Sequence, residues 1–93
     1  MSSANLELEL ADLFQETGEA HHKAFAETDG DDPEWPIWYA EFVHDDLAKL
    51  LDATFTKSEL VYLLVLADND RRAISPGSDW TAFFAMFFMD RYA

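Results

Sequence analysis

No cysteine occurs in the 93 residues, so the chain has no disulfide framework, no thiolate nucleophile and no Cys-ligated zinc. Basic residues are scarce. Six Lys and Arg stand against 19 Asp and Glu, for a formal net charge of −13. Phosphate backbones and anionic membrane surfaces repel such a chain, which argues against nucleic acid and membranes as partners. Such acidity reads first as ordinary solvated surface, with a salt-adapted host, given only three Lys, as another plain explanation and nucleic-acid mimicry as a rarer one. Long apolar runs are also missing, and none reaches the roughly 20 residues that span a bilayer. Met1 to Asn5 carries no basic residue, and Leu6 to Leu13 alternates with Glu7, Glu9 and Asp12, so no signal core is present. The expected location is the cytoplasm.

What the chain has is apolar and aromatic. Hydrophobic residues make up 49 % and aromatics 15 %, with eight Phe, three Trp and three Tyr, which excludes wholesale disorder. The length fits one domain, residues 1–93, that buries only about 60–65 % of its unfolded surface. Its pattern predicts an all-α fold, a compact bundle of about four short helices.

The first helix is expected from Asn5 to Glu27, with Leu6, Leu10, Leu13, Phe14, His21 and Phe25 on one face and Gly18 as a weak point or bend. A joint follows over Thr28–Pro33, where Asp32 can cap a turn opened by Pro33. The second helix is expected from Pro36 to Ala53, with Tyr39, Ala40, Val43, Leu47, Leu50 and Leu51 inward. Thr56-Lys57-Ser58-Glu59 matches a capping box. The apolar run Leu60–Ala67 that follows predicts a helix buried in the middle of the domain or of a dimer. Asp68 to Ser78 is expected to hold another joint, with Ser75-Pro76-Gly77-Ser78 as its strongest turn signal, and Ser78 or Asp79 caps a last helix from Trp80 to Tyr92.

Two Glu-x-x-His pairs, Glu19/His22 and Glu41/His44, invite comparison with carboxylate metal bundles. Glu59 and Asp79 or Asp90 would have to complete that set. On a helical wheel both pairs fall at the edge of their apolar stripes, where i, i+3 ion pairs are the ordinary outcome. The metal set Glu19, His22, Glu41 and His44 is therefore the alternative, and no metal or other cofactor is expected. The acidic joints fail as calcium loops, because the sixth position counted from Asp29 is Glu34 and from Asp68 is Ala73.

His21 differs, since it lies on the apolar stripe itself. A core histidine with one hydrogen bond is the expectation, with Asp45 or Asp46 as partner if the first two helices form a hairpin. No Ser-x-Gly elbow or Gly-rich phosphate loop is present, so no catalytic residue is assigned. Trp38 and Phe42 share a face that is not the Val43–Leu47 stripe, so the second helix needs two partners. His21-His22 ahead of Trp35-x-x-Trp38-Tyr39-Ala40 resembles a group of small uncharacterised bacterial all-α proteins that share an His-His … Trp-x-x-Trp-Tyr-Ala core. The resemblance covers roughly the first half of the chain, implies a helical fold, and brings no function with it.

The sequence thus predicts a non-enzymatic domain that works through protein contacts as a homodimer. Trp35, Trp38, Phe42, His21 and His22 are the candidate ligand or partner surface, and Phe84, Phe87 and Phe88 the candidate dimer surface. The alternative is a His/carboxylate site for a metal or small ligand.

Overall fold

A computed structural model describes residues 3–92, and side chains from residue 5 onward. The reading of Met1 and Ser2 as leaderless lies outside the described residues. Four helices follow in order: α1 (Ser3–Ala24), α2 (Trp35–Leu51), α3 (Lys57–Ile74) and α4 (Trp80–Tyr92), with one 3-10 turn, Ala26–Thr28, after α1. α1 packs on α2 and α4, α2 on α3, and α3 on α4, so the helices close into a ring around one core. No helix among the described residues is long and apolar enough to cross a membrane.

Each helix buries one arc. At about 100° per residue, Leu10, Leu13, Phe14, Thr17 and His21 of α1 fall on a single stripe, and all five are buried. Thr17 fits there because its hydroxyl donates to the Leu13 carbonyl at 2.6 Å, the i−4 group of its own helix. The α2 stripe is Ala40, Val43, Leu47 and Leu51. On α4 it is Thr81, Phe84, Ala85 and Phe88. Phe14 meets this last stripe directly, with ring centroids 5.5 Å from Phe84 and 5.7 Å from Phe88.

The ends are set by local chemistry. α1 stops at Ala24 rather than Glu27. The chain there tightens into the 3-10 turn and reverses through Asp29 and Gly30, both at positive φ, with the Gly30 amide bound to the Phe25 carbonyl at 2.8 Å. Asp32 caps the next turn, accepting from the Glu34 amide at 3.0 Å. α2 ends on Asp52 in the left-handed conformation, and the Ala53 amide reaches back to the Ala48 carbonyl at 3.0 Å. The capping box of α3 is complete: the Glu59 amide donates to Thr56 Oγ1 and the Thr56 amide to Glu59 Oε1, both at 3.0 Å. Asp79 opens α4 by accepting from the Thr81 amide and hydroxyl.

α3 continues to Ile74, through the first part of the joint expected from Asp68, and it is not the central helix. Leu60, Leu63, Leu64 and Ala67 are buried, but Tyr62 on the opposite side is 63 % exposed and Val65 is also on the surface. A run of Leu and Val has no polar residue to mark its outer face, so composition overstates its burial.

Candidate functional site

The residues singled out in the first half of the chain meet around one imidazole. His21 is buried, and its ring stacks on Phe25 at 4.7 Å, meets Trp38 edge-on at 5.1 Å and lies 5.2 Å from Tyr39. Trp35 packs edge-on against Tyr39 at 5.3 Å, and Ala40 beneath them is buried. The polar end of the imidazole is held by Asp32, which accepts from Nε2 at 3.1 Å while itself nearly buried. Asp32 replaces the expected partners Asp45 and Asp46. The hairpin explains this: the end of α1 faces the joint and the start of α2, whereas Asp46 shares a cleft with Glu9, Asp12 and Glu16 farther up α1. His21 therefore ties the joint to the bundle. It is a core residue and does not lie on an open partner surface.

Trp35 is half-buried. It lines a small cleft with Tyr39, Asp68, Arg71, Trp80 and Phe84, on the α3–α4 side of α2. His22 lies on yet another side, in an open cleft of about 530 Å³ with Glu19, Lys23, Tyr39 and Trp80. Its ring covers Gly30, where an added Cβ would stand 2.8 Å from Nδ1. Gly18, expected as a weak point of α1, is where Trp80 seats: a Cβ there would lie 2.9 Å from the indole.

Of the candidate surface, Trp38 and Phe42 lie together on a face of their own. Their rings stack at 5.3 Å and 13°. Together with Phe25 and Ile37 they form an open apolar groove of about 500 Å³, rimmed by Asp32, Glu34 and Glu41. Ile37 and Phe42 are both exposed. The sequence places Phe25 on the first apolar stripe, Asp32 at a cap and Glu41 in the alternative metal set, and does not join them with Glu34 and Ile37 into this face. The signal was present, since Glu34, Ile37, Trp38, Glu41 and Phe42 recur at the i, i+3, i+4 spacing of one helix face.

The two Glu-x-x-His pairs do not form. Glu41 accepts from Lys57 Nζ at 2.9 Å, across the exposed surface between α2 and α3. His44 donates Nε2–H to the Phe55 carbonyl at 2.7 Å and Nδ1–H to Asp45 at 3.0 Å. Both ring nitrogens thus act as donors, which is the imidazolium pattern. The Asp45 carboxylate, then the Phe55 carbonyl, hold the His44 pKa above its ordinary value, and His44 in turn lowers that of Asp45. Among the described residues no three His, Asp or Glu side chains converge as metal ligands. Glu19, His22, Glu41 and His44 are therefore not one site.

The candidate dimer surface needs the same correction. Phe84 and Phe88 are spent inside the monomer against Phe14, and only Phe87, half-buried on the flank of α4, keeps an open edge. The outward residue of this helix is Met86, at 44 % exposure.

Charge is unevenly spread over the four helices. α3 and α4 hold Lys57, Arg71, Arg72 and Arg91 against Glu59, Asp68, Asp70 and Asp90, and are neutral together. The whole net charge of −13 therefore belongs to α1, α2 and the joints. No family model matches the chain, and neither a curated protein nor a solved structure is significantly similar to it.

Proposed function

We propose that this chain is a non-enzymatic protein that acts through protein contacts, as a homodimer joined through the outer faces of α3 and α4. The observation that carries the reading is the coincidence of exposed apolar side chains with local neutrality. Tyr62, Val65 and Met86 stand out from the two helices on which acidic and basic residues balance. Two copies meeting through α1 or α2 would bring carboxylates against carboxylates, and like charges across an interface cost several kcal/mol. Meeting through α3 and α4 avoids that cost and covers apolar surface, which a self-complementary two-fold contact does twice over.

Light scattering on a Tyr62→Glu/Met86→Glu double variant tests the proposal. Both side chains are exposed, so the fold persists, and four new charges at a two-fold interface should shift the particle from dimer to monomer mass. A variant that keeps the mass of the parent dimer rejects this face.

A further inference from the structure

The groove beside Trp38 has a composition that specifies its occupant. Its floor is apolar and aromatic, formed by Phe25, Ile37, Trp38 and Phe42. Its rim is acidic, with Glu34 at one end and Glu41 one and a half to two helical turns along α2. The neighbouring joint adds Glu27, Asp29 and Asp31, all exposed, and no Lys or Arg lies between Lys23 and Lys49. We infer that this groove is a docking site for a short basic amphipathic helix of another protein, which sets its apolar side chains on Ile37, Trp38 and Phe42 and its Lys or Arg side chains against Glu34 and Glu41.

Charge complementarity selects that occupant over the others. A second copy of this chain brings the same acidic rim and a charge of −13, so it is repelled here. A nucleic acid or an anionic membrane is repelled for the same reason. A wholly apolar segment would fill the floor and desolvate the Glu34 carboxylate without giving it a partner, at a cost. A basic amphipathic helix satisfies both parts, since Lys and Arg lay their alkyl stems on apolar surface while their charged heads reach the carboxylates. The stacked Trp38–Phe42 pair offers π-faces to the same cations. A docked helix would present its own apolar anchors at i, i+3 and i+4 to this floor. Asp32 is not free for this task, because its carboxylate holds His21 and the Glu34 amide. Glu41 is held only by the exposed Lys57 at 2.9 Å, a surface pair that an incoming Lys or Arg shares or replaces, and Glu34 is the rim carboxylate open from the start. The site is built from Phe25, the joint and α2, so it stands independently of the dimer face on α3 and α4.

The experiment titrates the full chain with a synthetic helical peptide carrying Leu at i, i+3, i+4 and i+7 and Lys elsewhere, followed by tryptophan fluorescence and amide NMR shifts. A Glu-for-Lys version and a Lys-rich scrambled version serve as probes of charge and of pattern. The expected result is saturable binding of the Lys helix alone, with shifts at Ile37, Trp38 and Phe42 and affinity falling as salt is raised. Ile37→Glu should weaken binding at least tenfold, and Glu34→Gln/Glu41→Gln should flatten the salt dependence. Leu8→Glu, on the exposed side of α1, should leave binding unchanged. Absence of binding, equal binding of the scrambled or acidic peptide, or indifference to Ile37→Glu would overturn the inference. So would displacement of the peptide by equimolar spermine, which would make the site one for small polyamines.

Discussion

His44 is the residue whose place in the fold departs most from its sequence context. Its position at the edge of a stripe suggests a solvated pair with Glu41, yet its two nitrogens bind the neighbouring Asp45 on α2 and the loop carbonyl of Phe55. Because that arrangement favours the charged ring, the folded pKa lies above the unfolded one. The stability it adds is fully present below the unfolded value of about 6.5 and is lost as pH rises through the raised folded value. NMR titration should place the His44 pKa above that of a model peptide, and His44→Ala should remove this part of the pH dependence of unfolding. Gly18 is the second informative residue. Ala there would favour the helix by about 1 kcal/mol. It would also drive a methyl into Trp80, which Phe14, Tyr39 and Phe84 hold from other sides. Overpacking of this kind costs about 1–3 kcal/mol. Gly18→Ala is therefore expected to lower stability by about 1 kcal/mol in denaturant unfolding, against its helix propensity, and Trp80→Leu in the same background should reduce that loss.

The helices themselves were legible because their signals are local. α4 has the bounds expected of it, and the Thr56–Glu59 box closes in both directions. Thr56→Ala should cost about 1 kcal/mol, read from thermal or denaturant unfolding, since it leaves the Glu59 amide without its acceptor. Burial on α1 and α2 was legible too, because polar residues mark their outer sides. The outer side of Leu60–Leu66 in α3 and of Phe83–Met89 in α4 was not, since apolar side chains fill nearly every position of those two stretches. The decision there falls to an arc of about 100°, on which Phe84 and Phe88 face Phe14 while Met86 points away. The partner of His21 was likewise out of reach. It depends on which residue of the joint lies beside the end of α1, a matter of hairpin register that no spacing within one helix encodes.

Over the whole molecule the site residues sort by face. His21 is interior, Trp35 and Tyr39 are half-buried beside a small cleft, His22 and Trp80 line another with Tyr39, and Trp38 and Phe42 line a third. What looks in sequence like one motif is a packed aromatic cluster whose outer edges open on separate surfaces. The charge sorts in the same way, with the acidic residues in excess on α1, α2 and the joints and balanced on α3 and α4. This division gives the homodimer proposal its physical basis, and also a salt dependence. Two acidic bodies repel at low ionic strength, and screening relieves that repulsion once the Debye length falls to about 8 Å at about 0.15 M salt. Sedimentation equilibrium of the unmodified chain at micromolar concentration, at low and at physiological salt, is the most direct test. The account predicts a dimer mass at physiological salt and weaker association at low salt; a monomer mass under both conditions would contradict it.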